Sequence, residues 1–341
     1  MELDRVLQTL CGTCAPSGFE QAAARAAGEL LAPLVDEVWF DRMGNLAGVL
    51  RCGRSGAKKV LLDAHLDEVG FLVTGVEDGL LRLRAIGGVD PRMLPGGELT
   101  ILADPPLLGV VALPGDRREQ DRAVPLEELR VDVGMSQQAA ARRIPAGTPA
   151  VFRGGCFALG GDKLYGKAMD DRSCFAALLC TAELLRGRTL DVDVYFLGSS
   201  REETSGTGAL AGVFAIAPDY CVAVDVTHGA TPDAPRDRTF PLKGGPAIGV
   251  GPNMTRWMTQ RMICKAKQLD IPYQLEVMGG SSGTNGWKVQ TAREGIATAV
   301  LSVPLRYMHS PVEVLAREDL EQTARLLAAF VEGLGEEAPV C

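Results

Sequence analysis

The chain has 341 residues, of which 46% are apolar and 23% charged, with 40 Gly, 20 Pro and a formal net charge of -8. That length exceeds what one hydrophobic core normally organises, so two domains, or one core with a large insertion, are expected. An acidic chain without a basic stripe excludes a phosphate backbone as the expected partner, and no apolar run approaches the roughly 18 residues that span a bilayer.

The opening segment MELDRVLQTL carries acidic residues where a secretory signal carries basic ones. Nine scattered Cys fit a reducing compartment better than a disulfide framework, so a cytoplasmic location is expected. Cys11 and Cys14 form a C-x-x-C pair. With no second pair and no His beside it, that is a weak zinc signal, and buried or half-buried thiols are expected there.

The first strong element is KKVLLDAH, ending at His65: a continuous apolar run too short for a helix, as in a strand buried on both faces. From Asp67 to Tyr165 the pattern changes to short alternating segments (FLVTGV, LLRLRAI, ELTILA, GVVALP, RVDVGM, PAVFR), with a hairpin signal at Glu77–Gly79. This predicts a small β-domain, 67–165, inserted into an α/β domain formed by 1–66 and 166–341. Phe175, Leu178, Leu179, Ala182 and Leu185 then keep a helical period, as do Leu320, Leu327, Phe330, Val331 and Leu334 near the end. Between them lie three more buried-strand runs, DVDVYFLGSS, DYCVAVDVTH and GIATAVLSVPL. Strands alternating with helices predict an α/β fold whose sheet is mainly parallel and sandwiched by helices.

Ligands of open α/β sheets bind beyond the carboxyl ends of the strands. Each of the four runs ends in candidate metal ligands: His65, Asp67 and Glu68; Glu202 and Glu203; Asp225 and His228; and His309. GKAMDDR adds Asp170 and Asp171 at the start of the helix after the insertion. Singly, each has an ordinary reading as a surface residue, a core histidine or a helix cap. Jointly they do not, because the chain has only three His and all three fall at these ends. Two His with three carboxylates suit two divalent ions sharing a bridging carboxylate.

AHLDEVGF, GKAMDDR, an adjacent Glu pair before a Gly-containing turn, AVDVTHG and RYMHSPVEV together resemble family forty-two of the metallopeptidases. These are glutamyl, leucyl and lysyl aminopeptidases that assemble as tetrahedral twelve-subunit particles, and some carry cellulase or endoglucanase labels. The resemblance implies a dinuclear zinc exopeptidase fold with a β-barrel-like insertion that builds subunit contacts. It implies that Asp170 bridges two divalent ions, zinc before cobalt or manganese. His65 and Asp225 then complete one ligand shell, and Glu203 and His309 the other. Glu202 becomes the general base, drawing a proton from a water between the metals. Asp67 fixes the His65 tautomer, and Asp171 and His228 stand beside the ligands. The implied partners are peptide substrates and further copies of the chain, as a tetrahedral dodecamer, with neither nucleic acid nor membrane. The substrate amine needs an acidic acceptor, for which Glu68, Asp171 and Asp233 are candidates. The chain departs from the family in TSGTGA after the Glu pair and in GTNGW, which puts Asn285 and Trp287 near the expected pocket. A glycoside hydrolase using paired carboxylates, and an inactive scaffold that keeps the fold, are the competing readings.

Overall fold

The computed structural model describes residues 1–113 and 124–335. Two helices, α1 (Leu3–Gly12) and α2 (Gln21–Leu31), precede strands β1 (Glu37–Phe40), β2 (Leu46–Leu50) and β3 (Lys58–His65). Then come β4 (Gly70–Glu77), β5 (Leu80–Ile86), β6 (Glu98–Ile101), β7 (Leu107–Ala112), β8 (Arg130–Asp132), helix α3 (Gln137–Arg143) and β9 (Pro149–Phe152). The chain returns through β10 (Cys156–Leu159), β11 (Lys163–Gly166), α4 (Met169–Leu185), β12 (Val192–Ser199), α5 (Thr207–Ile216) and β13 (Tyr220–His228). It ends with β14 (Ala247–Val250), α6 (Arg256–Gln268), β15 (Gln274–Val277), α7 (Gly286–Val289), β16 (Ala297–Leu305), β17 (Glu313–Ala316) and α8 (Arg317–Glu332).

Eight strands form one sheet in the order β1-β2-β12-β3-β13-β16-β14-β15. Its centre, β12, β3, β13 and β16, is parallel, and β2 and β14 flank it antiparallel. The continuous apolar runs have a direct cause. Leu62 and Phe196 pack on one face with Phe175, Leu178, Leu327 and Phe330, while their neighbours Leu61, Tyr195 and Leu197 pack on the other with Ala209, Val213 and Ile216. Helices cover both faces, so apolar residues run consecutively along these strands rather than at every second position. No helix among the described residues is long and apolar enough to cross a membrane.

All six alternating segments become strands, and they close a barrel in the order β4-β5-β8-β7-β6-β9. Phe71, Leu81, Leu99, Ile101, Val131 and Phe152 fill it. The β4–β5 turn places Asp78 at φ +51° and Gly79 at φ +84°, two successive left-handed residues of the kind a two-residue hairpin turn requires. The last part of the 67–165 segment behaves differently: β10 and β11 pair with each other and, through β11, with β17.

The joint between the barrel and the α/β core is ionic and buried. Glu68, just before the barrel, accepts from Lys167 Nζ at 2.7 and 2.8 Å and from Arg172 Nη2 at 3.0 Å. Arg172, fully buried, also donates to the carbonyls of Leu10, Thr13, Ala15 and Leu66. One guanidinium thus ties the N-terminal loop to the loop after β3. Arg172→Leu leaves those carbonyls without their donor and should lower unfolding free energy by about 3–5 kcal/mol, seen as an earlier urea midpoint at unchanged slope.

Candidate metal centre

Because β12, β3 and β13 run parallel, their carboxyl ends emerge together, and β16 delivers His309 to the same edge four residues after Leu305. His65 closes β3, Asp225 lies near the end of β13, and Glu202 and Glu203 follow β12. Asp170 and Asp171 open α4 with non-helical backbone after Ala168 at φ +56°, so they turn inward instead of capping the helix. The peptide between them is cis.

Asp170 is the meeting point. Its Oδ1 lies 3.1 Å from His65 Nε2, and its Oδ2 lies 3.2 Å from His309 Nε2. His309 Nε2 is also 3.3 Å from Glu203 Oε2. Both rings are oriented from behind: His65 Nδ1 is 3.1 Å from the Asp67 carbonyl, and His309 Nδ1 is 2.8 Å from the Gly88 carbonyl. With Nδ1–H donated to a carbonyl, each Nε2 faces a carboxylate, which it meets either as the donor of a protonated ring or, with a cation between the two, through its lone pair. Two sets of ligand atoms lie within 4.8 Å of one another, His65 with Asp170 and Glu203, and His65 with Asp171 and Asp225. His65, Asp170, Glu203, Asp225 and His309 floor a cavity of 440 Å³ that also holds Glu202, Thr227, His228, Glu276, Asn285 and Lys288.

Residues 44–326 match the family model for M42 glutamyl aminopeptidases. The chain belongs to the M42 aminopeptidase family. The lysyl aminopeptidase of Pyrococcus furiosus is 34% identical over 328 residues, 93% of either chain. The aminopeptidase APDkam598 of the archaeon Desulfurococcus kamchatkensis superposes with a TM-score of 0.91 at 32% identity, over 97% of this chain and 94% of that one. The TET1 peptidase of Pyrococcus horikoshii, which assembles into a tetrahedron or a large octahedral shell, superposes with a TM-score of 0.85 at 26% identity over 98% and 100%. Membership makes the M42 chain a peptide hydrolase of a family that works with divalent metals.

The residues of the M42 chain fit such ions. Asp171 Oδ1 and Glu203 Oε1 are buried with no hydrogen-bond partner, and carboxylate with imidazole suits borderline divalent cations. Burial pushes Asp171 and Asp225 well above the usual carboxylate range, each further raised by acidic neighbours. Burial also opposes ionisation of Asp170, yet hydrogen bonds from His309 and His65 outweigh it and hold that carboxyl low. For His309 the same bonds, to Asp170 and Glu203, outweigh burial and raise the ring to about 11. Burial, aided by the charges of Glu203 and Asp170 against that of His65, lifts Glu202 to about 7.

The remaining candidates separate cleanly. Asp67 stands behind His65 through its carbonyl; its carboxylate is 3.5 Å from Nδ1, and its two oxygens each accept a backbone amide at 3.1 Å, from Glu202 and from Glu203. Asp171 Oδ2 accepts the His65 amide. His228 lines the cavity but belongs to neither ligand set. Glu68 is committed to Lys167 and Arg172, and Asp233 to Thr231 outside the cavity, so neither meets a substrate amine. Asn285 lines the cavity and donates to Asp63 and Ser199, whereas Trp287 faces a separate hollow with Leu210 and Asn253. Cys11 is buried and Cys14 half-buried, and neither joins a ligand cluster among the described residues.

Glu313 escaped the sequence reading. It is buried, accepts the His309 amide at 2.8 Å on one oxygen, and accepts the amides of Met169 and Asp170 at 2.7 and 3.2 Å on the other. Its signal was within RYMHSPVEV, four residues after His309. Asp63, two residues before His65 on the same face of β3, was also missed, and burial raises it to about 6.

In the metal-free chain, folding holds Asp63 and Glu202 protonated to about 6 and about 7, above their ordinary values. Their contribution to stability is therefore complete below about pH 4 and is lost as pH rises through those values. Divalent ions offset the uncovered charge, so the rise in Tm on adding zinc should grow from about pH 5 to about pH 8. A Tm increment that stays constant or shrinks over that range would count against a metal centre.

Proposed function

We propose that the chain removes N-terminal residues from peptides with two divalent ions, zinc before cobalt or manganese. Asp170 would be shared between them, with His65 and Asp225 holding one and Glu203 and His309 the other. The observation that carries this is the pair of imidazole Nε2 atoms facing the two oxygens of Asp170, each ring committed at Nδ1 to a backbone carbonyl. Glu203 beside His309 and Asp225 beside His65 support the division of ligands. When bound, such ions supply a Lewis acid that activates water and polarises the scissile carbonyl.

The protein contributes position and proton transfer. Glu202 lines the cavity beside Asp170 without joining either ligand set, and its amide is pinned to Asp67. It accepts the proton of the attacking water and returns it to the leaving amine. The acidic floor draws the substrate's free amino group in, which suits cleavage at the chain end. Glu202→Gln should keep metal stoichiometry and lower kcat by at least about 100-fold, a typical share for general base catalysis. Asp170→Asn or His309→Ala should lower bound metal, measured by elemental analysis. Full metal occupancy with full turnover in either kind of variant would overturn the corresponding role.

The 67–165 unit serves subunit contact in this reading. Strand β7 presents Leu108 and Val110, 46% and 43% exposed, beside Leu113 at 52%, an apolar stripe of the kind subunit interfaces cover. Relatives of TET type support a homo-oligomer. Leu108→Glu with Val110→Glu should reduce the particle mass in light scattering, and an unchanged mass would remove the barrel from the interface.

A further inference from the structure

Beyond the metal-facing acids, the cavity is lined by one more carboxylate, Glu276, and one Lys, Lys288. Lys288 donates its ammonium to the Ser205 carbonyl. Glu276 starts on β15, two strands from β16, and lies opposite Gly249 on β14. From there Glu276 crosses β14 to reach Ser302 on β16 and Thr227 on β13.

Thr227 Oγ1 donates to one oxygen of Glu276 at 2.5 Å and Ser302 Oγ to the other at 2.8 Å. Both oxygens act as acceptors, as in an ionised carboxylate, and hydroxyls hold the group without neutralising it. Among the described residues it has no ion pair with Lys or Arg, and burial raises its carboxyl above the usual range. Among the described residues the His228 ring is the positive group that acts on it, and a half-buried carboxylate held otherwise by hydroxyls has room to take a further cation from outside. Its place is specific: Thr227 is two residues past Asp225 on the same face of β13, so Glu276 adjoins the end of the cavity where Asp225 stands. There is room for length as well, because Glu276 and Ser282 also border a groove of 660 Å³, whose wall carries Asp237 together with Arg236 and Arg238.

Resting on the aminopeptidase reading, we propose that Glu276 determines specificity by receiving the cationic side chain of an N-terminal Lys or Arg. The ammonium or guanidinium would fit between the two anchored oxygens, a charge-assisted contact absent for Leu and repelled for Glu.

The test uses the metal-loaded protein with Lys, Arg, Leu and Glu p-nitroanilides. Wild type should favour Lys and Arg, and Glu276→Gln should lower kcat/KM for these two by about 10- to 100-fold while leaving Leu within about twofold. An equal loss on every substrate would overturn the proposal, since Glu276 would then hold the α-amine or the fold. A second measurement needs no variant: lysinamide should inhibit cleavage of the Leu substrate about tenfold more tightly than norleucinamide, which lacks only the ammonium. Equal inhibition, or a wild-type preference for Leu or Glu, overturns the specificity and leaves the aminopeptidase reading standing. No turnover of any of the four overturns both.

Discussion

The fold is organised around a concentration of buried carboxyl groups. Asp63, Asp170, Asp171, Asp225 and Glu313 are all buried, and Glu202 and Glu203 stand over them at the cavity floor. Like charges this close, with little water, repel strongly, and the protein holds them by giving nearly every carboxylate a donor. The donors are chiefly backbone amides, of His65, Met169, Asp170, Glu202, Glu203 and His309. Amides cannot move away without unfolding a loop, so the acids stay converged where cations can join them.

This arrangement explains why the supporting residues are themselves acidic. Asp67 collects the amides of the Glu pair and offers its carbonyl to His65; Glu313 collects three amides from two loops. Each fixes two segments of the cavity at once, so a change in either should displace several cavity residues together. The Arg172–Glu68–Lys167 cluster works one layer further out, anchoring the loop that carries Asp67.

The inserted unit is part of the centre as well as an appendage. Gly88, just past β5, orients His309 through its carbonyl, and a side chain at Gly87 would come within 3.3 Å of the Glu203 backbone. The barrel therefore sets one wall of the site. Close approach favours glycine at both places: at Gly88 a Cβ would lie 3.2 Å from the His309 ring, which would have to shift to admit it.

What the sequence determined by itself was everything carried by local pattern. Unbroken apolar runs identify strands covered on both faces, alternation identifies the six barrel strands, and three scarce His at strand ends mark the cavity. Parallel strands place their carboxyl ends together whatever the loops do, so the gathering of these residues at one cavity was readable in advance. Only the tertiary structure decided which partner each group meets. The carbonyl of Asp67 rather than its carboxylate lies nearer the His65 ring, Glu68 is turned inward to an ion cluster, Trp287 lies off the cavity, and β10 and β11 join β17. Glu276 reaches the site across Gly249, a strand away. These contacts join residues far apart in the chain, and their energies depend on distance and burial, which no local spacing encodes.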